Sequence, residues 1–561
     1  MSNIKGQIYF QEKFGYTLEE DKNSITYSKG RISIHGNGLT ETFLYHISES
    51  SSWSWIVCGI GIIDSSRFIQ HSEWQNIINQ EEIKLDQLDG HWIIFRWQAN
   101  KFEFYNDPFE LRKLYLKQEH DRVVFSTQLV DLIDMIDDPE FSFQNYSGFV
   151  IYKNSFGNES ILKNVKRLGV NGVLKINDEN VFHKFTHWDI ERDLDKPFCL
   201  EKFKSIANIK FSNRKKPVLL LSGGMDSRTV LAMQEELPEL LTLGDRNNID
   251  AKIAKMIGNK LNQHVHYGEY KLPLTHDEKI HKFELIRDSV LKECHGFFNY
   301  INILEEMNKK EFWAIDGGRG EVIRHGSTRS ILFFGKKYIQ KNDIISLSKL
   351  LCTKLYPCFE NHLEDKMIKW AEIEFKEAIE SMPKGLNIYE WITLLQIRYR
   401  VKNTAMNIQA AHDSIIPTYM PLIQPSVVRS LESYPYQKRI NNRLNSMIIN
   451  KYMPILTTLP IERFNTKSPY FFRNSVVLSK AYSVIYHRFI KEKQSYNDLL
   501  MLSLKEIVLE RLNSSKVRNC GWYDTKRVIE LADLFYNGHF KDSKFLYNWL
   551  QIDFWRERLN M

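Results

Sequence analysis

One stretch near the middle of the chain limits its fold more than any other. The apolar run 218–221 ends in a Ser-Gly-Gly turn at 222–224, and a helical pattern covers residues 228–237. This order predicts a strand, a glycine-rich turn and a helix. Glycines let a backbone approach an anion closely, and the first turn of a helix presents unpaired N–H groups and the positive end of its dipole. The stretch therefore predicts a phosphate-binding site.

Four side chains around the turn suit the same purpose. Ser222 and Ser227 offer hydroxyl donors, Arg228 offers a cation, and Asp226 is suited to hold a magnesium ion at the phosphates. The lysine-containing P-loop is excluded, because no Gly-Lys-Ser/Thr follows the turn. The alternative is an ordinary turn between strand and helix whose glycines serve geometry alone.

The turn resembles the Ser-Gly-Gly-x-Asp-Ser pyrophosphate loop of the asparagine synthetase family, and every fixed position of that motif is present. Members of this family split ATP between the α and β phosphates, form an adenylated intermediate and release pyrophosphate. The resemblance implies ATP and Mg²⁺ as cofactors, with Asp226 as a catalytic and metal-binding residue. It implies that the nucleotide is held by Leu221, Ser222, Gly223, Gly224, Asp226 and Ser227.

The chain as a whole has the composition of a globular protein, and its 561 residues predict two or three domains. The net charge of +7 is modest for this length, so we expect no nucleic-acid partner. The longest apolar run, 55–63, is far shorter than the roughly 18 residues of a membrane helix, and residues 1–7 contain no apolar signal core. We therefore expect a cytoplasmic protein without a membrane segment.

The cysteines are scattered and form no CxxC pair, which excludes zinc-ligand spacing. Reduced, mostly buried thiols are the favoured interpretation. The six residues are Cys58, Cys199, Cys294, Cys352, Cys358 and Cys520.

Residues 1–195 are rich in short strands and turns, which predicts a domain separate from the alternating strands and helices that follow. The order of segments from 88–90 to 171–172 is similar to the amino-terminal glutaminase domain of the same family, and implies an Ntn-hydrolase-like β-sandwich. That family attacks glutamine with a cysteine exposed after removal of Met, whereas this chain has Ser2. We expect an inactive domain kept as a structural platform; the alternative is a nucleophilic Ser2.

Residues 196–561 begin with alternating strands and helices, which predict a parallel sheet with its ligand site at the carboxyl ends of the strands. They resemble the family's PP-loop (adenine nucleotide alpha hydrolase-like) domain with a helical C-terminal part. The fold class expected for the whole chain is thus α/β and α+β. The resemblance implies that the backbone of Leu243 and Gly244 holds adenine. Asp250 also matches a family position, but we favour a helix N-cap for it.

The loop after the fourth predicted strand, 316–321, resembles a second pyrophosphate and metal loop of the family. Gly318 matches that loop, but the metal-binding aspartate of the family is replaced by Gly320. Either Asp316 or Glu321 supplies the second magnesium contact, or Arg319 neutralises the phosphates, or catalysis is impaired. The implied metal ligands are therefore Asp226, Asp316 and Glu321, with Gly318 and Arg319 at the nucleotide and Glu321 among the catalytic residues.

Beyond residue 330 the pattern is helical. The segment after Tyr434-Pro435 is similar to the family's leucine-proline segment, in which a lysine reaches the phosphates and the acyl-adenylate. The resemblance implies Lys438 as the first candidate for this catalytic role and Arg443 as the second. The alternative for each is a solvated surface charge.

These features predict an AMP-forming, ATP-dependent amide ligase that adenylates a carboxylate and joins it to an amine. The organisation is most similar to β-lactam synthetases and lasso-peptide cyclases, which implies a peptide or small natural-product substrate. Its partners would then be a precursor peptide and a leader-processing protein. The alternatives are amidation with ammonia, as in asparagine synthetase, and a non-catalytic nucleotide-binding protein. The sequence leaves the oligomeric state open.

Overall fold

The structure is a computed structural model that describes most of the chain. The described residues are 2–49, 52–64, 67–85, 88–190, 198–209, 211, 215–244, 246–268, 301–320, 322, 331–352, 358–403, 409, 412–489, 496–540 and 543–560. Glu321 and Cys294 lie outside them.

The N-terminal part consists of two seven-stranded sheets in which every pairing is antiparallel. Its strands are β1 Asn3–Tyr9, β2 Phe14–Asp21, β3 Ser24–Gly30, β4 Ile32–Asn37, β5 Phe43–His46, β6 Ser54–Ile63, β7 Arg67–Phe68, β8 Asp89–Gln98, β9 Lys101–Asn106, β10 Tyr115–Gln118, β11 Arg122–Ser126, β12 Lys166–Arg167, β13 Val173–Asn177 and β14 Asn180–Lys184. The first sheet has the order β12-β10-β11-β1-β4-β3-β2. The second has β14-β13-β9-β8-β6-β5, with β7 on β6.

The two sheets pack face to face. Ile4 and Ile34 of the first sheet share one core with Ile56, Phe95 and Phe104 of the second. The long strands β6 and β8 are buried along almost their whole length, which explains their nearly continuous apolar sequences. The strand-rich N-terminal region expected from the sequence is therefore confirmed, and the structure adds that its sheets are antiparallel.

The second part contains a five-stranded parallel sheet. Its strands are β15 Lys216–Leu220, β16 Glu239–Leu243, β17 Val265–Gly268, β18 Phe312–Asp316 and β19 Thr418–Tyr419, in the order β17-β16-β15-β18-β19. Apolar side chains of β15 such as Val218 and Leu219 are fully buried because helices cover both faces of the sheet. A parallel sheet in this region is what the alternation of segments predicted.

Helices make up most of the remaining structure. Those before and within the parallel sheet are α1 His71–Ile78, α2 Phe143–Tyr152, α3 Leu200–Ala207, α4 Met225–Met233, α5 Ile249–Leu261 and α6 Ile301–Lys309. Those that follow are α7 Lys336–Gln340, α8 Ile344–Leu351, α9 Asn361–Glu380, α10 Ile388–Leu395, α11 Pro425–Glu432, α12 Tyr436–Arg439, α13 Arg443–Tyr452, α14 Val476–Phe489, α15 Tyr496–Ser503, α16 Lys505–Asn513, α17 Ser515–Asn519, α18 Thr525–Tyr536 and α19 Lys544–Arg558. A two-stranded ribbon, β20 Ile461–Glu462 and β21 Lys467–Ser468, lies between α13 and α14.

The two parts share apolar cores. One core joins Val124 and Leu129 to Trp549 in α19, a second joins Ile60 to the α4 helix, and a third joins Phe109 to the helices around Phe375. The antiparallel sheets end at Lys184 and the parallel sheet begins at Lys216. The domain boundary at residue 195 stays a prediction.

A buried cluster of charges lies between the same two parts. Glu110 is fully buried, with Arg167 Nε 3.5 Å from its Oε1 and Lys402 Nζ 3.7 Å from its Oε2. Burial lowers the pKa of Lys402 to about 8, and the neighbouring Arg167 lowers it in the same direction. The junction between the parts thus contains ion pairs as well as apolar side chains.

Two further expectations concern the burial of the cysteines and the presence of membrane-spanning helices. Cys58 and Cys358 are buried, but Cys199 and Cys352 are exposed because each caps the end of a surface helix, so the expectation of mostly buried thiols is wrong for these two. Across the described ranges, every helix falls short of the length and apolarity that a membrane crossing requires.

Candidate functional site

The predicted phosphate turn lies at the carboxyl end of the central strand of the parallel sheet. Strand β15 ends at Leu220 and α4 begins at Met225, with Gly224 as its N-cap. The neighbouring strand β18 pairs in register with β15, so that Leu220 lies opposite Asp316. The turn at 221–224 and the loop after Asp316 therefore emerge side by side, at the edge where open parallel sheets bind ligands.

Both hydroxyls of the turn hold its shape. The Ser222 N–H donates to Ser227 Oγ at 3.2 Å, and the Gly224 N–H donates to Ser222 Oγ at 3.2 Å. The two hydroxyl oxygens are 3.1 Å apart. Ser222 is exposed and Ser227 is buried beneath it, so Ser222 is the hydroxyl that faces solvent at this turn.

Asp250 is part of the site and is not a helix cap. The N-cap of α5 is Asn248, whose Oδ1 accepts the Ala251 N–H at 2.6 Å, because the helix begins two residues earlier than a cap at Asp250 requires. Asp250 Oδ1 instead accepts the Gly223 N–H at 2.7 Å. Burial raises the pKa of Asp250, and the bond from Gly223 opposes this. The N-cap interpretation was wrong, and the carboxylate fixes the turn.

The loop after β18 packs directly on the first turn of α4. A β carbon at Gly317 would lie 2.5 Å from Ser227 Cα, and one at Gly320 would lie 2.5 Å from Oδ1 of Asp226. The contact at Gly317 is with backbone, so that position needs glycine, whereas a side chain at 320 would displace the Asp226 carboxylate from its present position. The residue that departs from the family pattern, Gly320, is therefore the one that lies against the Asp226 carboxylate.

Two of the three acidic residues predicted as metal ligands lie beside the turn. Asp226 lies in the first turn of α4, and Asp316 ends β18, where its Oδ1 accepts the Gly318 N–H at 2.7 Å. Arg319 follows with a left-handed backbone, φ 67°. Glu321 lies outside the described residues. Within the part of the chain that the structure describes, no three His, Cys, Asp or Glu residues form a cluster suited to a metal ion.

An asparagine that the sequence did not single out contacts Asp226. Asn445 Nδ2 in α13 donates to Asp226 Oδ1 at 3.3 Å and to Thr229 Oγ1 at 2.9 Å. Asn445 is buried on the side of α13 that packs on α4. The only signal in the sequence is a polar residue within the apolar pattern of a helix, which is a weak one.

The two predicted catalytic cations lie on exposed surface. Lys438 is exposed in the short helix α12. Arg443 begins α13, is exposed, and donates to the Gln437 carbonyl at 2.8 Å. The contact that α13 makes with Asp226 comes from Asn445, and the roles of Lys438 and Arg443 stay predictions.

Arg228 is a structural residue, so the prediction that it offers a cation to phosphate is wrong. Its fully buried guanidinium donates to the carbonyls of Leu456 at 2.9 Å, Leu459 at 3.1 Å and Pro460 at 2.6 Å. Burial lowers its pKa to about 10, which leaves it charged at neutral pH. The same segment continues to Glu462, whose N–H donates to the Gly223 carbonyl at 2.8 Å. Arg228 therefore fastens this segment, 456–462, beside the turn.

The backbone groups implied for adenine already bond within the protein. The Gly244 N–H donates to the Gly268 carbonyl at 2.7 Å, and the Leu243 carbonyl accepts Asn248 Nδ2 at 3.5 Å. Gly244 has φ 119°, a conformation that other residues resist. The loop after β16 is therefore sharply turned at the position predicted for adenine.

Ser2, the residue in place of the family's catalytic cysteine, is completely buried. Its hydroxyl bonds to that of Thr42, and its carbonyl accepts Arg112 Nη1 at 3.2 Å. Arg112 Nη2 lies 2.6 Å from Asp413 Oδ2, which also lies 2.7 Å from His91 Nε2. Burial raises the pKa of Asp413 to about 6 and places that of His91 well below its usual value. A polar cluster thus links the first strand to the segment that leads into β19.

Comparison with known proteins identifies no family for this chain. No protein-family model matches it, and no curated protein matches it. Among solved structures it is similar to glutamine phosphoribosylpyrophosphate amidotransferase from B. subtilis in complex with ADP and GMP, at 11% identity and a TM-score of 0.21 over 56% of this chain and 81% of that one. A structure described as the allosteric regulatory enzyme of purine biosynthesis matches at 11% identity and a TM-score of 0.21, over 60% of this chain and 72% of that one. Similarities this low carry no argument about fold or function.

Proposed function

We propose that this protein is an ATP-dependent, AMP-forming ligase that adenylates a carboxylate and joins it to an amine. The observation that carries the proposal is the Ser-Gly-Gly turn at the N-terminus of α4, packed against the loop after β18 with Asp226 between them. Backbone N–H groups, a hydroxyl and a carboxylate meet there at the carboxyl edge of a parallel sheet. This combination suits a triphosphate with its divalent metal.

The residues present fit ATP and Mg²⁺. Magnesium sites commonly use one or two carboxylates together with substrate phosphates; Asp226 lies in the first turn of α4 and Asp316 at the end of the strand beside β15. Bound Mg²⁺ would neutralise charge that accumulates on the pyrophosphate leaving group. In this proposal Asn445 orients the Asp226 carboxylate, Asp250 holds the turn, and Ser222 donates to a phosphate oxygen. Glu321, Gly318 and Arg319 would complete the second side of the nucleotide.

The proposal also includes a specific fold for each part of the chain. The antiparallel part would be an inactive Ntn-hydrolase-like sandwich, and the parallel part a PP-loop domain. The burial of Ser2 and its bond to Thr42 support an inactive first domain, because a nucleophile must reach its substrate. The attacking nitrogen would then be an amine of the substrate, as in lasso-peptide cyclases and β-lactam synthetases, with a precursor peptide and a leader-processing protein as partners.

The test combines nucleotide binding with turnover. We expect the wild-type protein to bind a fluorescent ATP analogue in the presence of Mg²⁺, and to release AMP and pyrophosphate with a peptide bearing an Asp or Glu side chain and a free amine. Asp226→Asn should reduce release at least about a hundredfold, since the metal-binding charge is lost while the bond from Asn445 can remain. Asp365→Asn, an exposed change in α9, is the control.

The outcomes separate the alternatives. Release of AMP that requires added ammonia in place of a substrate amine would indicate an amidating enzyme. Binding of the analogue without release of AMP from any peptide or amino acid would indicate a nucleotide-binding protein. If Asp226→Asn turns over like the wild type, the role proposed for this site is incorrect.

A further inference from the structure

Helix α14 has its apolar side chains on the outside. Its buried positions are Ser479 and Ser483. Its outward positions include Val477, Leu478, Val484 and Ile485, whose side chains are 78%, 50%, 54% and 57% exposed. A surface helix of a globular protein normally has the reverse arrangement. An apolar stripe that faces solvent on a helix of 14 residues is typical of an interaction site.

The stripe continues into the turn that precedes the helix. Phe471 is 70% exposed, and the neighbouring Arg473 and Asn474 line an open cavity of about 660 Å³. The other lining residues are Arg443, Ser446, Met447, Asn450 and Lys451. This cavity therefore has three cationic side chains and no acidic one among its lining residues.

The cations of the cavity are held in place. Arg473 Nε donates to Ser446 Oγ at 2.9 Å, and its guanidinium lies 4.4 Å from the centre of the Tyr470 ring. Arg443 is fixed by the Gln437 carbonyl at 2.8 Å. Arginines that are already oriented lose little freedom when they bind a carboxylate, and their planar groups suit bidentate contacts.

The segment that forms this surface is strongly basic, although the cavity residue Lys451 already pairs with Glu201 at 2.9 Å. Residues 433–491 contain ten Lys or Arg residues and a single acidic residue, Glu462, whereas the whole chain has 76 basic and 69 acidic residues. Lys480 and Arg488 are exposed on α14 beside the apolar stripe. The surface formed by α14, Phe471 and the cavity is thus apolar in its centre and basic at its border.

We propose that this surface binds an acidic, amphipathic polypeptide segment. The apolar face of that segment lies on Val477, Leu478, Val484 and Ile485, and its carboxylates contact Lys480, Arg488 and the cavity arginines. Arginines held by hydrogen bonds at fixed positions accept individual carboxylates in bidentate contacts, which favours a polypeptide over the anionic surface of a membrane. The proposal does not depend on the nucleotide site.

The probe for this surface is a fluorescein-labelled amphipathic peptide of about four helical turns, with leucines on one face and glutamates on the other. We expect its fluorescence anisotropy to rise with the protein concentration at low salt, and the affinity to fall as salt is added. The same peptide with lysines in place of glutamates should not bind. Equal binding of both peptides, or no binding of the acidic one, would overturn the proposal.

Two sets of variants locate the binding. Val484→Ser combined with Ile485→Ser removes the apolar contacts, and Lys480→Glu combined with Arg488→Glu reverses the border charges. Each pair of substitutions should weaken the affinity for the acidic peptide at least about tenfold. The matched control is Ile373→Ser in α9, where the isoleucine is 55% exposed. Both pairs are surface changes, so the thermal unfolding midpoint should stay close to that of the wild type.

Two other occupants are tested in the same experiment. If the protein does not bind the peptide but sediments with vesicles that contain phosphatidylserine, and the α14 variants abolish this sedimentation, the surface binds a membrane. A concentration-dependent dimer that the same variants dissociate would indicate a second copy of this chain. Either result without peptide binding overturns the proposal.

Discussion

At the scale of single residues, the candidate site is organised around one carboxylate. Asp226 accepts a bond from Asn445 on one side and lies against Gly320 on the other. A glycine in place of an acidic residue looks like a loss when only the sequence is read. In the structure it allows the present position of Asp226, because a side chain at 320 would displace that carboxylate.

Gly320→Ala tests this interpretation. The new β carbon would lie 2.5 Å from Oδ1 and 2.9 Å from Oδ2 of Asp226, so the carboxylate must rotate away from its present position. We expect the release of AMP and pyrophosphate to fall at least about tenfold while the protein stays folded. Gly15→Ala is the control, because nothing lies within 4 Å of a β carbon there. An increase in turnover with Gly320→Asp would contradict the interpretation.

The residues of the site were predictable to different degrees. The motif at 222–227 was recognisable because its spacing determines a strand, a turn and a helix. The directions of side chains are not determined by such spacing. The sequence therefore did not show that Arg228 is buried or that Asp250 holds the turn. It also did not show that Asn445 reaches the site from a helix more than two hundred residues away in sequence. Contacts of that kind depend on packing between distant elements.

At the scale of elements, the segment 456–462 acts as a strap beside the phosphate turn. Arg228 bonds to three of its carbonyls, and the Glu462 N–H bonds to Gly223. The strap leads into the ribbon of β20 and β21, which Thr466 and Ser468 stabilise through a bond of 2.9 Å between their hydroxyls. One buried side chain in α4 thus determines where a whole irregular segment lies.

We expect Arg228→Met to lower the free energy of unfolding by about 3 kcal/mol, because two buried carbonyls and a partly buried one lose a charged donor. Urea unfolding followed by fluorescence measures the difference. Arg228→Lys should recover part of the loss, since it keeps one charge. Arg443→Met, at an exposed position, should change stability by less than about 0.5 kcal/mol. A stability equal to that of the wild type would show that the strap does not depend on Arg228.

The elements themselves were predictable where the chain is buried. Strand β6 has a nearly continuous apolar sequence, β8 contains the apolar run Trp92–Phe95, and helix α9 has apolar residues at helical spacing. In the hairpin of β2 and β3, strand β3 alternates polar and apolar residues and buries Ile25 and Tyr27, whereas β2 lies mostly in solvent and gives a weaker signal. The inverted polarity of α14 was missed, since periodicity identifies an apolar face without telling which way it points.

At the scale of the whole molecule, the two parts of the chain are joined by shared cores and by the buried charges around Glu110. Buried ion pairs are costly to break by removing one partner, because the other charge then stays buried alone. The stability of this junction should therefore respond to pH through Lys402.

Lys402→Met tests this dependence. In the folded protein the pKa of Lys402 is lowered to about 8, whereas a lysine in the unfolded chain has a pKa of about 10.4. Between these values the unfolded chain binds more protons, so the wild type gains stability relative to the variant as pH rises. Urea unfolding at a series of pH values measures the difference between the two proteins. Lys376→Met, an exposed change, serves as the control, and a difference that does not change with pH would contradict the lowered pKa.

The core that unites both parts also has a consequence during synthesis. Val124 and Leu129 are made early, but they share a core with Trp549 in α19, the last helix described. At roughly 5–20 residues per second, a ribosome needs on the order of tens of seconds to reach that helix. For that time the early strands present an incompletely covered apolar surface. The nascent chain is thus exposed to aggregation through this core until α19 is made and packs.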